Sequence, residues 1–329
     1  MICAVIAGAK TLVEIAEWAH DTARNQLADY GISAPHSTTI ARVFQRLDTG
    51  TFEFLFANWA QALTTGEAIA VDGKEVRGAK NGGQDRVHLL AALDQDTGAV
   101  CAQVPVGTKT NEITQFSTLL DHFVDLKGKV ITADALHTQT AHARYLQARG
   151  AHFVFTVKGN QPKLQDELLQ IPWDHVPAGH RSVGTKNGRR TIRTIKCVTV
   201  TTGISFPHAA QALQITRKSR AIGATKWHKE TVHALTSLPT HLAGPVAIGG
   251  LIRGHWGIEN GLHWRRDVTW SEDKSQVRKG NAPHVMAILR NIAITLLKLN
   301  GHRNLARATR RLRNQPGTVL AMIGLGAAH

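Results

Sequence analysis

The sequence predicts an α/β fold: a mixed sheet with flanking helices, an amino-terminal helical region, and a β-rich insertion. Three observations support this prediction. Apolar residues recur with a helical period up to about residue 63, and short apolar runs of strand length then alternate with helical stretches up to residue 157. Strand-like runs return after residue 160, before helical periodicity reappears near residue 252. A chain of 329 residues suits one large domain or two to three smaller ones.

The amino-terminal region, residues 1–64, should contain three helices. They are predicted over 10–30, Thr39–Leu47 and Phe52–Leu63. Ser37 or Thr38 would cap the second helix, which carries Arg42 and Arg46. These basic side chains are compatible with a helix-turn-helix that contacts DNA. A plain helical cap on the next domain explains the same pattern, and the sequence leaves both interpretations open.

The next segment, residues 65–159, carries elements in the order β-β-β-α-β-α-β. The strands are predicted over 67–72, 86–93, 99–106, 129–133 and 152–157, and the helices from Thr110 or Asn111 to Leu126 and from His137 to Arg149. This order is that of a ribonuclease H-like fold, in which the fourth strand returns through a crossover to lie parallel to the first. Asp72 and Asp134, which close those two runs, would then meet near one edge of the sheet.

The remaining chain divides into an insertion and a return to the core. Residues 160–250 should form the β-rich insertion, with strands near 191–201 and 212–216. Residues 251–329 should complete the core with a helix from Ile252, a second over Ala282–Leu299, and basic helices at the carboxyl end. No apolar run approaches membrane-spanning length.

The charge of the chain indicates an anionic partner. It has 39 Lys and Arg against 24 Asp and Glu, a formal net charge of +15. Between Asp174 and Glu230 there is no acidic residue but many basic ones. Such a stretch favours contact with the phosphates of nucleic acid, although a solvated basic face is the simpler alternative. The three isolated cysteines fit a reducing cytoplasm and argue against a cysteine-based zinc site.

Three carboxylates stand out against this basic background: Asp72, Asp134 and Glu259. Acids placed where a polyanion would lie need a counter-charge, and divalent magnesium is the usual one. Two such ions can activate an oxygen nucleophile and stabilise the leaving oxygen at a phosphodiester. His255, Glu259, His263 and Arg266 share one helix face, which could present the glutamate to metal and Arg266 or a histidine to DNA.

Simpler explanations exist for each acid. Asp72 and Asp134 could be polar strand ends that begin a turn, since Asp72-Gly73 is a turn dipeptide. Glu259 could form an ordinary ion pair on a solvated helix. A zinc site built from His255, Glu259 and His263 is also conceivable, but it would leave the two aspartates unexplained.

Several sequence blocks resemble the bacterial insertion-sequence transposases of the H-repeat-associated type. The blocks are VDGKEVRG at 71–78, TADA at 132–135, KGNQP at 158–162, HWGIEN at 255–260 continued by Leu262-His263-Trp264 and Asp267-Val268, Glu272-Asp273, and RKGNAP at 278–283. The resemblance covers roughly residues 8 to 300, and 253–283 is its most specific part. It implies a ribonuclease H-like core whose catalytic Asp-Asp-Glu triad falls on Asp72, Asp134 and Glu259, which would bind Mg²⁺, with Mn²⁺ as an alternative.

The resemblance also implies the reaction and its partners. Such enzymes cleave the ends of their element and join 3′-hydroxyls to target DNA, so the expected partners are transposon-end and target duplexes, bound by a homodimer at the bacterial nucleoid in the cytoplasm. The residues expected to contact DNA are Lys158, Asn160, Gln161, Arg189, Arg190, Arg193, Arg253, His255 and Arg266. A nuclease without strand transfer and a DNA-binding protein that no longer catalyses are the alternatives.

The chain departs from related transposases at several places. Ile252, His255 and Arg266 stand where a Tyr, an Arg and a Lys surround the catalytic glutamate in that pattern, which puts those auxiliary roles in doubt. The segment 187–191, NGRRT, replaces a His-Gly-Arg-x-Glu stretch. About thirty residues that usually precede the first helix are also missing. A decayed or truncated element is therefore a further interpretation.

Overall fold

The computed structural model describes residues 1–79, 87–107 and 111–325. By its internal contacts the chain forms two compact units. Unit 1 comprises Met1–Gly66, Asp72–Val124 and Gly257–His329, and unit 2 comprises Glu67–Val71 and Asp125–Trp256. These bounds cut the chain differently from the four predicted segments, and the predicted domain limits stay a prediction.

The amino-terminal region of unit 1 is helical, as predicted, but the helices are shorter and more numerous. They are α1 (Ile2–Ile6), α2 (Leu12–Glu17), α3 (Arg24–Ala28), α4 (Ser37–Arg46) and α5 (Thr49–Ala62). A π-helical turn at Trp18–Thr22 separates α2 from α3 and breaks the single helix expected over 10–30. The cap of α4 is His36, whose ring nitrogen accepts the Thr38 N–H at 3.3 Å, so neither Ser37 nor Thr38 has that role.

The next elements follow one another in the predicted order. They are β1 (Ala68–Val76), β2 (Val87–Asp94), β3 (Val100–Val106), α6 (Glu112–Leu120), β4 (Val130–Ala133), α7 (Thr140–Ala148) and β5 (His152–Val157). Asn111 caps α6 by accepting the Thr114 N–H, and the helix ends before Leu126. Thr110 and Arg86 lie outside the described residues. Strand β1 continues through Asp72 to Val76, so this acid lies within the strand and does not close it.

The insertion contains α8 (Pro162–Leu169), four strands and the helix that follows them. The strands are β6 (His180–Lys186), β7 (Arg189–Thr199), β8 (Gln211–Ala221) and β9 (His228–Thr236), and the helix is α9 (Pro245–Gly257). Strand β9 pairs antiparallel with β5, so the inserted strands extend the sheet of unit 2. Buried apolar side chains such as Val130, Val154 and Leu213 pack on Ile248 of α9.

The strand pairing defines a mixed sheet. Within unit 2 the order is β1-β4-β5-β9-β8-β7-β6, with β1, β4 and β5 parallel and the other pairs antiparallel. Within unit 1 the order is β3-β2-β1, and β2 and β3 are antiparallel. The predicted α/β class, with a large mixed sheet and flanking helices, is confirmed. The ribonuclease H-like assignment stays a prediction.

The carboxyl-terminal part of unit 1 begins with a π-helical turn at Ile258–His263. It continues with α10 (Trp264–Thr269), α11 (Ala282–Leu299), α12 (Leu305–Leu312) and α13 (Pro316–Met322). By length and composition α11 could cross a membrane, so the expectation that no run approaches that length was wrong. This is weak evidence for a membrane span, because 89% of the helix is buried inside the protein.

A chain of buried polar side chains crosses unit 1. Glu53 on α5 accepts from the Gln103 amide on β3 at 3.1 Å, and Asn291 on α11 donates to the Gln103 amide oxygen. The His284 ring, also on α11, contacts the same glutamate. Near the other end of the unit, the Trp270 indole donates to the Val5 carbonyl at 2.9 Å. The amino-terminal helices are thus bonded into the same core as the sheet and α11.

Candidate active site

The parallel pairing in unit 2 ends directly before two of the predicted acids. Its register runs from Ala68 opposite Val130 to Val71 opposite Ala133. Asp72 is the next residue after Val71, and Asp134 is the next after Ala133. Each acid thus directly follows the last paired residue of its own strand.

Asp134 begins a short 3-10 turn in unit 2. One of its carboxylate oxygens accepts the Leu136 N–H at 3.0 Å, and this bond orients the side chain. The turn is held from the other side by Asn160, which donates to the Ala135 carbonyl, and by Gln161, which donates to the Thr138 carbonyl. These amides support the loop that carries Asp134, so they are engaged within the protein and not set out as DNA contacts. Lys158, in contrast, is exposed.

His255 of unit 2, which was predicted to contact DNA, packs against β4, and its DNA contact stays a prediction. Its Nδ1 lies 3.1 Å from the Thr132 hydroxyl, and burial lowers the pKa of the ring to about 4, although the charge of Asp134 acts in the opposite direction. The imidazole is therefore neutral near pH 7. The sequence could not reveal this, because the shift depends on burial against β4.

Asp72 lies beside a neutral histidine of unit 1. Its Oδ2 is 3.5 Å from Nδ1 of His263. Burial, together with the charges of the nearby Arg266 and Lys74, lowers the pKa of His263 to about 3. Glu259, four residues before His263, is exposed on the π-helical turn.

Arg266 cannot contact DNA as predicted, because it is fully buried in unit 1. Its Nε donates to Glu272 at 2.8 Å, and Arg290 donates to the other oxygen of the same carboxylate at 2.9 Å. Burial alone would raise the pKa of Glu272, but the two guanidinium groups hold it below its usual value. Arg266 is therefore part of a buried ion network.

A second ion pair in unit 1 lies close along the chain to Asp72. Lys74 has a side chain only 9% exposed, and its ammonium contacts Asp267 at 2.8 Å and Asp273 at 3.6 Å. Burial raises the pKa of Asp267, and Lys74 opposes that shift. Sequence reasoning missed this pair, since its residues are separated by nearly two hundred positions.

Glu112 is a further acid near Asp72 that sequence reasoning missed. Its carboxylate packs so closely on Gly73 that a Cβ there would lie 2.2 Å from Oε1, and it lies 2.7 Å from the His88 ring. This contact raises the pKa of His88, with smaller contributions from Glu75 and Asp72. Only the dipeptide Asn111-Glu112 at a helix start could have drawn attention to it.

The basic surface of unit 2 has a clear geometry. Arg193 on β7 is directly opposite Arg217 on β8, and Arg190 is opposite Arg220. Burial lowers the pKa of Arg193, as do the positive charges of Arg217 and Arg253. Because strand side chains alternate between faces, Arg190 and Arg193 point to opposite sides of the sheet. The predicted set Arg189, Arg190 and Arg193 cannot all meet one ligand on one face.

Two residues of this surface were not predicted from the sequence. Arg217 lies over the ring of Trp256, 5.8 Å from its centroid, and that indole is 51% exposed. Trp256 lies three residues after Arg253 on α9, so both side chains project from neighbouring turns of the same helix. That spacing was the available signal.

The side chains that could bind a metal ion are His, Cys, Asp and Glu. Within residues 1–79, 87–107 and 111–325 no group of three His, Cys, Asp or Glu is placed to hold a metal ion. The chemistry of Asp72, Asp134 and Glu259 still suits magnesium, which binds hard oxygen ligands and few carboxylates.

The chain matches two family models. Residues 64–296 match the "Transposase DDE domain" model, and residues 1–60 match the model described as "DDE_Tnp_1-associated". It is 31% identical over 351 residues to the "H repeat-associated putative transposase YhhI" of Escherichia coli (strain K12), covering 98% of this chain and 91% of that protein. It is 32% identical over 312 residues to the "Putative transposase YncI" of Escherichia coli O157:H7, covering 90% and 80%.

One solved structure is also similar, the piggyBac transposase synaptic complex with hairpin DNA, at a TM-score of 0.47 and 14% identity, covering 99% of this chain and 73% of that one. On the family match and the two relatives, the chain belongs to the family of transposases with a DDE domain, as the resemblance predicted.

Proposed function

We propose that this protein is a DNA transposase that cleaves the ends of its element and joins 3′-hydroxyls to target DNA by metal-assisted transesterification. The observation that carries the proposal is the parallel register that ends with Val71 opposite Ala133, because Asp72 and Asp134 follow directly. Neighbouring strands lie about 4.8 Å apart, a spacing that suits two carboxylates sharing one cation. Membership of the DDE transposase family supports the same reaction.

The proposed roles of the acids follow from their surroundings. Asp72, Asp134 and Glu259 hold divalent ions, Mg²⁺ or Mn²⁺, which when bound activate the attacking oxygen and stabilise the leaving oxygen. Asp72 lies beside the ring of His263, with its Oδ2 3.5 Å from Nδ1. The bond from Leu136 N–H fixes the Asp134 side chain. Glu259 is exposed and can reach a metal or substrate.

DNA is the proposed partner of the basic face of unit 2. Arg193 and Arg217 are like charges at directly opposite positions, an arrangement that destabilises a sheet, and Glu230 lies 4.0 Å from Arg217 as an exposed counter-charge. Arg253 adds a third charge, and Lys158 is an exposed cation at the end of β5. Phosphate groups would relieve this repulsion, so we assign DNA backbone contacts to these four residues. Arg190, on the opposite face of the sheet, and Arg189, at the first position of β7, remain further proposed DNA contacts.

The proposed reaction also bears on the number of subunits and on the place of the protein in the cell. A reaction that joins two element ends needs both ends in one complex, so we propose a homodimer on DNA. A chain of this charge would associate with the nucleoid in the bacterial cytoplasm.

The reaction is tested with a pre-cut element end, a target plasmid and Mg²⁺. We expect joined products from the wild type, and loss of both cleavage and joining in Asp72→Asn, Asp134→Asn and Glu259→Gln, with DNA affinity largely kept. Asp125→Asn, at an exposed acid of the same size, is the control and should react normally.

Other products would contradict the proposal in distinct ways. Nicked but never joined DNA would indicate a nuclease. DNA binding with no product, unchanged in Asp72→Asn, would indicate a protein that only binds. Normal cleavage by one variant would remove that residue from the site.

A further inference from the structure

Two contacts join the strand that carries Asp72 to the helical segment that carries Glu259, and both lie within unit 1. The first is His263 Nδ1 to Asp72 Oδ2 at 3.5 Å, and the second is Lys74 Nζ to Asp267 Oδ2 at 2.8 Å. Asp72 and Lys74 are two residues apart on the strand. His263 and Asp267 are four residues apart on the helical segment.

The spacings of the two elements match. Residues i and i+2 of a strand point to the same face and are separated by about 6.6 Å. Residues i and i+4 of a helix lie on one face and rise by about 6 Å. The two strand residues can therefore contact the two helix residues at the same time, Asp72 with His263 and Lys74 with Asp267. Glu259 lies four residues before His263, on the π-helical turn Ile258–His263 that leads into this helix.

The cation of this contact is largely shielded from water, while its acidic partners are about one third exposed. The side chain of Lys74 is 9% exposed, and Asp273 also lies 3.6 Å from its ammonium. Moving the helix by one position along the strand would separate Lys74 from Asp267 and leave a largely buried charge unpaired, which is unfavourable. The contact is separate from the three acids proposed to bind metal.

We propose that Lys74 and Asp267 are a positioning pair, which fixes the register between the strand of Asp72 and the helical segment of Glu259 so that both carboxylates can hold the same divalent ion. This rests on the proposed function of those acids. Groups behind metal ligands usually change metal affinity by about 10–100-fold when they are removed. The pair is therefore expected to affect metal binding more than DNA binding.

The test measures Mn²⁺ binding directly, without DNA, as the rise in melting temperature of the full chain over a titration with Mn²⁺. We expect Lys74→Met to raise the midpoint Mn²⁺ concentration about tenfold or more. Asp267→Asn should have a smaller effect, because Lys74 keeps Asp273 as a partner. The Mn²⁺ dependence of joining a pre-cut end should shift in parallel, while DNA affinity stays within about twofold.

Loss of folding stability alone is controlled with a second buried ion pair. Glu53→Gln breaks the contact to His284, between α5 and α11 of the same unit, and should lower the melting temperature without changing the Mn²⁺ midpoint. If Lys74→Met fails to fold, the double variant Lys74→Met/Asp267→Leu removes both charges of the pair, and the remaining carboxylate of Asp273 is 30% exposed to water. It should fold and still show the raised midpoint.

Two outcomes would overturn the inference. The first is a midpoint within about twofold of the wild type for Lys74→Met or for the double variant. The second is an equal shift in Glu53→Gln, which would make the effect one of general stability. Asp72→Asn separates this from failure of the proposed function: if that variant keeps the wild-type midpoint and cleaves DNA, the metal site itself is wrong.

Discussion

Replacing Glu272 by Gln should destabilise the protein strongly. Its carboxylate is fully buried and bonded to Arg266 at 2.8 Å and to Arg290 at 2.9 Å, and both guanidinium groups are buried as well. The substitution keeps the shape but removes the only charge bonded to these two cations among the described contacts. Removing one side of a buried ion pair costs about 3–5 kcal/mol. At about 2–4 °C per kcal/mol the melting temperature should fall by roughly 6–20 °C.

The pH dependence provides a second measurement on the same variant. The folded pKa of Glu272 lies below its usual value, so its stabilising effect is complete above about pH 4.5 and is lost as pH falls through the folded pKa. Glu272→Gln should therefore lose less stability between pH 5 and pH 3 than the wild type, when urea unfolding is followed at each pH.

The matched control is Glu230→Gln on the surface of unit 2. Glu230 is half exposed and lies 4.0 Å from Arg217, so its loss should cost no more than about 1 kcal/mol. The reasoning is refuted if Glu272→Gln melts as close to the wild type as this control does. In that case the guanidinium groups would be stabilised by something other than the carboxylate.

Three further predictions follow from single contacts. His255 has a folded pKa of about 4, so the free energy of unfolding should fall as pH drops from 6.5 to 4. In denaturant titrations His255→Gln should show a weaker pH dependence, and an unchanged dependence would contradict the burial argument. Gly78→Ala should lower the free energy of unfolding by about 1–3 kcal/mol, because the new Cβ would lie 2.5 Å from the Glu272 carbonyl oxygen. At Gly184 a Cβ would have no atom within 4 Å, so Gly184→Ala should be neutral. Equal melting temperatures of the two variants would refute the clash. Arg217→Gln should reduce the slope of log affinity for DNA against log salt by about 0.9. The control Arg149→Gln, whose guanidinium donates to the Tyr145 hydroxyl at 2.8 Å, should keep the wild-type slope. Equal slopes in the two variants would remove Arg217 from the interface.

The order of elements from β1 to β5 was predictable because each strand is a short apolar run and each helix shows its own period. The strand limits were less so. The first strand was predicted to end at Asp72, where Asp72-Gly73 could also begin a turn, yet β1 continues to Val76. Tertiary pairing overrides the local preference of this dipeptide, and a single sequence does not contain that information. The π-helical turns at Trp18–Thr22 and Ile258–His263 escaped prediction because one extra residue per turn hardly alters the apolar period.

The candidate site was only partly predictable. The three acids could be selected from their positions and from the family resemblance, and the register beside Asp72 and Asp134 follows from the parallel crossover. The roles of the basic residues could not be read in the same way. Arg266 and Arg193 look alike in the sequence, but one is bonded inside unit 1 and the other faces a like charge on β7–β8. Only packing distinguishes an internal counter-ion from a surface cation.

The buried chain from Glu53 through Gln103 to Asn291 has a consequence for how this family can be rearranged. The first 60 residues have a family description of their own, yet they supply the acid that satisfies Gln103 and His284, and the Val5 carbonyl that satisfies Trp270. A chimera that exchanges this segment with a relative would have to exchange its partners on β3 and α11 too. Removing the first 60 residues would take these partners from Gln103, His284 and Trp270 and should therefore destabilise unit 1.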